Sequence, residues 1–235
     1  MAEKDDGSFG GIPKELLTEL LPFLKKKLEA EAARATQDAR LLAADARASE
    51  LIARKGERDE KEYLASDKFH HVYIFNDSVN AASVSVCMKQ LTAWSRLDSE
   101  CKIEIVFNSP GGSVMDGMAL FDFIQTLRRS GHYITTVALG YAASMAGILL
   151  QAGDHRVCSK EAYVLIHEIS TGAIGKIGEL EDVVEFAKKI QTRVLNIFAS
   201  RSRKTAAYFA THWRRKDWWL NSDECMQIGI VDEVR

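Results

Sequence analysis

Charge divides this 235-residue chain near residue 68: Asp, Glu, Lys and Arg make up 28 of the first 68 residues but only 36 of the remaining 167. A segment that charged cannot bury itself, whereas the second part carries enough apolar residues for a core, so the two fold on different terms. Between Leu24 and Ala53 the first segment is rich in Ala, Leu, Glu, Arg and Lys, all strong helix formers, and predicts a long helix. Leu28, Ala32, Ala35, Ala39, Leu42, Ala46, Ser49 and Ala53 recur at spacings of four and three, a coiled-coil rhythm whose alanines give a shallow seam. A solvated or weakly self-associating helix and a partner-binding helix both fit that pattern. Ahead of Pro22, Leu16, Leu17, Leu20 and Leu21 form a short apolar patch suited to docking on another subunit.

From Phe69 the texture changes. His71–Phe75 reads as a strand, Ala81–Leu97 as a helix and Lys102–Asn108 as a strand running into Ser109-Pro110-Gly111-Gly112. A helix over Val114–Ser130, a strand over Tyr133–Leu139, a turn at Gly140, a helix over Ser144–Ala152 and a strand over Ala162–His167 follow. This alternation predicts an α/β domain of βαβ units on a largely parallel sheet. Gly172, Gly175 and Gly178 mark a loop or ribbon, after which Leu180, Val183, Val184, Ala187, Ile190, Val194 and Phe198 keep helical spacing for about five turns. That helix is too long to pack on its own sheet alone.

Several function classes are disfavoured. A net charge of −2 and a pI near 6.3 recommend neither nucleic acid nor an anionic membrane as partner. The short basic run Trp213-Arg214-Arg215-Lys216 reads as a solvated face or subunit contact. The longest apolar run, Val137 to Leu150, falls short of the roughly 20 residues that span a bilayer. Glu3, Asp5 and Asp6 precede no apolar stretch of the secretory kind, which predicts a cytoplasmic protein. Cys87, Cys101, Cys158 and Cys225 are scattered, with no paired spacing for zinc or a disulfide framework. No metal and no cofactor is expected.

Chemistry concentrates in three places. Gly140-Tyr141-Ala142-Ala143-Ser144-Met145-Ala146-Gly147 sets a serine between a strand and a helix, with small residues two places to either side. Small neighbours permit the tight turn that projects a nucleophilic Oγ, and the helix N-terminus aims free N–H groups at a developing oxyanion. A serine that merely caps a buried helix would leave the same trace. Asn108-Ser109-Pro110-Gly111-Gly112-Ser113 lets backbone N–H groups face a ligand, or forms an ordinary turn. His167 ends an apolar strand, where ligand sites collect in parallel sheets, and is the base of choice among the six histidines. For the orienting acid, Asp154, Asp182, Asp217, Asp223 and Asp232 all remain open.

Taken together these residues resemble the proteolytic subunit of the Clp protease, from about Glu62 to Val234. The resemblance runs through Val72-Tyr73-Ile74-Phe75-Asn76-Asp77-Ser78-Val79, Asn108-Ser109-Pro110-Gly111-Gly112-Ser113-Val114, Gly140-Tyr141-Ala142-Ala143-Ser144-Met145-Ala146, Leu165-Ile166-His167-Glu168 and Gly229-Ile230-Val231-Asp232. It implies a Clp/crotonase-type spiral of βαβ units with a protruding handle helix after Gly178. Residues 62–235 would be the peptidase domain and residues 1–61 a charged helical extension. It further implies a serine endopeptidase with Ser144 as nucleophile, His167 as base and Asp217, in Lys216-Asp217-Trp218-Trp219-Leu220-Asn221-Ser222, as acid. The N–H groups of Gly112 and Met145 would form the oxyanion hole, and Ser113 and Val114 would flank a bound peptide. Peptide or protein substrates, stacked homo-oligomeric rings of family-like heptamers and a ring ATPase are the partners implied.

The chain departs from the family in two places. Glu168-Ile169-Ser170 stands where the family has Gln-Pro after the histidine, and the first 60 or so residues match nothing in it. A helical extension on such a core is also similar to phage head-maturation proteases. Three further readings share parts of this pattern: a Ser/Lys dyad peptidase, a crotonase-type acyl-CoA enzyme with the same spiral and oxyanion hole, and a non-catalytic scaffold.

Overall fold

A computed structural model describes residues 13–235. The acidic residues at 3, 5 and 6, and the start of the expected 1–61 extension, lie outside the described residues. By its contacts the chain divides between Tyr63 and Leu64 into two units.

The described residues of the first unit lie almost wholly in one helix, α1 (Lys14–Leu64), with exposed side chains nearly throughout. It is longer at both ends than the 24–53 stretch and passes unbroken through Pro22. Beyond Ala53 the Lys, Arg and Glu residues are themselves good helix formers and add pairs one turn apart, Glu50 with Arg54 at 2.6 Å and Arg58 with Glu62 at 3.9 Å. Leu16, Leu20 and Leu21 are exposed on it.

The second unit is a seven-stranded sheet with helices packed on it. In order come α2 (Asp67–His70), β1 (Val72–Phe75), α3 (Ala81–Leu97), β2 (Ile103–Ser109), α4 (Val114–Arg129), β3 (Ile134–Ala143) and α5 (Met145–Leu149). There follow β4 (His155–Cys158), β5 (Tyr163–Ile166), α6 (Ile177–Ser200), α7 (Ala206–His212), β6 (Trp218–Leu220), α8 (Ser222–Ile228) and β7 (Glu233–Val234). The strand order is β1-β2-β3-β4-β7, with β5 joined to β3 and to β6. Every pair is parallel except β5 with β6. This is the α/β architecture of a spiral of βαβ units, preceded by the charged helix.

One element differs from expectation in a way that matters. The turn expected at Gly140 is instead a bend inside β3, which runs on to Ala143. Gly140 takes φ 72°, where a Cβ would come within 2.8 Å of Asn108 Oδ1. Before the bend β3 pairs with β4, through Ala138 opposite Cys158; after it, Tyr141 to Ala143 pair with Tyr163 to Leu165 of β5. The strands β4, β6 and β7, only four, three and two residues long, carry no readable alternation in the sequence.

The core gathers Phe75, Phe107, Leu120, Ile124, Ile134, Met145, Phe198, Phe209 and Trp213, all at most 2% exposed. Each large apolar side chain so buried contributes about 2 kcal/mol. Of α6, only Val194 and Phe198 are buried, while Ile177, Val184 and Phe186 stay exposed. Its N-terminal half is therefore only partly covered within this unit, where Phe186 lies beside Val114, Met115 and Met118 of α4. All four cysteines are free and buried.

The buried Arg156 ties β4 to the C-terminal segment. Asp232 accepts from its backbone N–H and Nε at 2.9 Å each and from Nη2 at 2.5 Å. Burial pushes the Asp232 carboxyl up, but the Arg156 hydrogen bonds outweigh it and hold the carboxyl below its usual range. Asp232→Ala is expected to lower unfolding stability by about 3 kcal/mol, read by urea denaturation, because it strands a buried guanidinium. Since the folded-state pKa is depressed, this contribution is complete above about pH 4, the unfolded carboxyl's value, and is lost as pH falls through the lower folded value.

Candidate active site

The bend in β3 delivers Ser144 to the carboxyl end of the sheet. Ser144 lies between β3 and α5 with φ 55° and ψ −119°, a conformation that costs a non-glycine residue on the order of 1–3 kcal/mol. Three contacts hold it there. Its N–H donates to the Leu165 carbonyl at 2.9 Å, tying the turn to β5. Ala142 and Ala146, two places to either side, are fully buried, and a Cβ on Gly147 would lie 3.2 Å from the Ala142 carbonyl oxygen. Gly111 (φ 84°) backs the turn so closely that a Cβ there would fall 2.5 Å from the Ala143 carbonyl and 2.8 Å from Met145 N. The Ser144 side chain makes no capping bond to α5, so Oγ is not spent on the helix.

A cavity of about 120 Å³ opens beside this turn. Ser144, His167, Gly112, Met145 and Val114 all line it; Ile148, Ile166, Val194 and Phe198 supply apolar walls, and Glu168, Ile169 and Ser170 complete it. The glycine loop reaches it through a short bridge. Val79 N–H donates to the Gly111 carbonyl and Ser113 N–H to the Val79 carbonyl, each at 2.7 Å. Gly112 sits between these bonds at φ 147°, where a Cβ would strike the Val79 carbonyl. Neither the Gly112 nor the Met145 N–H donates to another described residue. Met145 begins α5, whose first N–H groups have no intrahelical acceptor. Two free donors thus border the cavity that holds Ser144.

Ser113 and Asp217 do not line that cavity. Ser113 caps α4, accepting from Asp116 N–H at 3.3 Å. Asp217 is exposed one residue before β6. Its neighbourhood is nevertheless set by register. Val164, Leu165 and Ile166 of β5 face Leu220, Trp219 and Trp218 of antiparallel β6. The ladder ends at Ile166 opposite Trp218, and extending its register by one step would set His167 across from Asp217, with Cβ atoms about 5 Å apart if the pairing continued. His167 Nδ1, however, is bonded to the Glu168 carbonyl at 2.5 Å. No hydrogen bond among the described residues joins it to Asp217 or to Ser144.

The other candidate acids have different employment. Asp154 accepts from Arg128 Nε at 2.7 Å and from Ile134 N–H at 2.9 Å, and Asp232 holds Arg156. Asp182 and Asp223 ride on α6 and α8. Sequence reading missed the walls Ile148, Ile166, Val194 and Phe198 and the place of Glu168. The signal for Val194 and Phe198 was their shared stripe on α6.

The Clp protease family profile matches residues 55–235, which contain every element of the cavity. The chain belongs to the Clp protease family. Among curated proteins it is 36% identical over 159 residues to "ATP-dependent Clp protease proteolytic subunit 1" of Rhodococcus jostii (strain RHA1), covering 66% of this chain and 70% of that one. Proteins of the same name from Corynebacterium diphtheriae and Streptomyces avermitilis are 32% and 30% identical over 166 and 168 residues. These overlaps cover 69% of this chain in each case, with 78% and 74% of the relatives. The parallel sheet with its helices is consistent with the Clp-type fold, and the chain is a Clp-like peptidase in family terms. Among the described residues no helix is long and apolar enough to cross a membrane.

Substituting the loop glycines separates constraint from convenience. Gly112→Ala is expected to lower the melting temperature by several degrees, since it forces a Cβ against the Val79 backbone at a φ that L residues avoid. Gly178→Ala, in the first turn of α6 with open space around it, is expected to leave the melting temperature unchanged or slightly raised. Differential scanning calorimetry of the two variants checks this.

Proposed function

We propose that the chain is a serine endopeptidase that cleaves unfolded or short polypeptides through an acyl-enzyme. Ser144 Oγ attacks the scissile carbonyl, His167 takes the hydroxyl proton and returns it to the leaving amine, and Asp217 orients His167 and supports its charged form. The N–H groups of Gly112 and Met145 receive the oxyanion, and Val114 with Ser113 flanks the peptide. An apolar side chain of the substrate enters between Ile148, Ile166, Val194 and Phe198. One observation carries this reading: the strained Ser144, its Oγ free of capping, shares a cavity with His167 and two N–H donors that have no acceptor among the described residues.

Assembly belongs to the same reading. The triad acts in a homo-oligomeric chamber of stacked rings, heptameric in the family manner, with the exposed half of α6 as the handle between rings. Ile177, Val184 and Phe186 support this, because they keep much of their apolar surface exposed in the single chain. The Nδ1 bond of His167 to the Glu168 carbonyl gives way to Asp217 when the assembled ring aligns the site. A ring ATPase is the natural partner, a view supported by the relatives' designation as subunits of an ATP-dependent protease, and residues 1–61 are an accessory extension preceding a peptidase domain of residues 62–235. Four free thiols suit a cytoplasmic setting. A Ser/Lys dyad has less support, for no lysine is among the residues that line the cavity. A crotonase-type acyl-CoA enzyme has no need of the strained serine.

Fluorophosphonate labelling of wild type and Ser144→Ala, run on native size-exclusion fractions with peptide mapping, tests the reading. Label on Ser144 in a large assembly is expected, with loss of label and of peptide turnover by at least about 10³-fold in Ser144→Ala while assembly is kept. Unlabelled Ser144 in every fraction, or turnover that survives the substitution, contradicts it.

A further inference from the structure

Glu168 stands where the family carries glutamine, and its side chain does something specific. Its Oε2 accepts the backbone N–H of Arg215 at 3.0 Å, a contact across 47 residues of sequence. Among the described residues Arg215 is one of three non-glycine residues at positive φ, with φ 57°, and lies two residues before Asp217. The loop between α7 and β6 is otherwise held at its start. Trp213 is 1% exposed, and Lys216 N–H closes a turn onto the Trp213 carbonyl at 3.2 Å.

These bonds bracket the proposed base and acid. On one side of the His167–Asp217 pair lies the β5–β6 ladder, ending at Ile166 opposite Trp218. On the other side the strand ladder has ended, and the only described cross-link between the two segments is the Glu168 carboxylate on Arg215 N–H. Without it the exposed stretch from Arg214 to Asp217 is tied to β5 only through its ends, at buried Trp213 and at the Trp218 pairing. Resting on the peptidase reading above, we infer that Glu168 is a positioning residue: its carboxylate latches the Arg215 loop and thereby keeps Asp217 in register with His167. The side chains of Arg214, Arg215 and Lys216, all exposed, form no ion pair with Glu168, so the latch is the backbone contact and not a charge pair.

The latch needs an acceptor oxygen rather than a negative charge. Glutamine supplies the oxygen and alanine does not. In the full-length assembled protein, Glu168→Ala is expected to lower kcat for a fluorogenic peptide about tenfold, with KM changed less than about twofold, the size of losing one hydrogen bond to a charged group. Glu168→Gln is expected to stay within about threefold of wild type. Placed on Asp217→Asn, the alanine change should lower the residual rate by less than about twofold, since a residue that acts through Asp217 has nothing left to position. Hydrogen exchange in the wild type adds a readout that needs no activity: the Arg215 amide is expected to exchange at least about tenfold more slowly than an exposed loop amide, and in Glu168→Ala to lose that protection.

Three results overturn the latch: equal kcat in wild type and Glu168→Ala, an undiminished alanine effect on Asp217→Asn, or an unprotected Arg215 amide in wild type. Each can occur while Ser144-dependent turnover stands, so failure of the latch is distinct from failure of the peptidase reading. Turnover that is independent of Ser144 overturns both.

Discussion

The bend of β3 at Gly140 is the constraint on which the site depends. A parallel strand that stayed straight would pair with β4 along its whole length and end far from β5. By turning at φ 72°, β3 gives up β4 after Ala138 and takes β5 from Tyr141. That change of partner sets the carboxyl ends of β3 and β5 side by side, and those ends carry Ser144 and His167. The Ser144 N–H to Leu165 carbonyl bond then fixes the turn against the strand that presents the histidine. Strain at Ser144 is sustained because its surroundings admit no relaxation: buried alanines two places away and glycine backbone behind it fill the space that any other turn would need.

Backbone, more than side chain, builds the rest of the cavity. Gly112 is threaded between two hydrogen bonds with Val79, and Met145 opens a helix of five residues, so both donors are fixed by covalent geometry and secondary structure. Donors held this way need no reorganisation when charge develops opposite them. The acid side of the site is looser by comparison. It rests on a three-residue strand and an exposed loop, and His167 Nδ1 is engaged by the neighbouring carbonyl. On the proposed reading, the serine turn is rigid while the histidine and aspartate side is adjustable, the arrangement to expect where alignment is coupled to assembly.

Much of this was readable beforehand, for local reasons. The strained turn at Ser144 was legible because such a turn excludes bulk at Ala142 and Ala146, and steric exclusion writes itself into adjacent letters. The place of His167 just after an apolar strand was equally legible. The α/β alternation and α6 were equally plain, since their periodicities persist for several turns or residues. The position of Asp217 was not readable from residues alone, because it is set by a register with β5 some 50 residues away and β6 is too short to show alternation. β4 escaped notice for a related reason. His155 and Arg156 are polar because they bind Glu233 and Asp232, contacts that lie 78 and 76 residues off. Gly140 was recognised as a turn, but whether a glycine ends a strand or bends it is decided by the partners on either side.

The most direct measurement is a crystal structure of the assembled protein with a fluorophosphonate adduct. The account predicts phosphorus bonded to Ser144 Oγ, a phosphonyl oxygen within hydrogen-bond distance of both Gly112 and Met145 N–H, and His167 Nδ1 turned from the Glu168 carbonyl to Asp217. An adduct on another residue, or a Ser144 adduct whose oxygen points away from those two N–H groups, would contradict it.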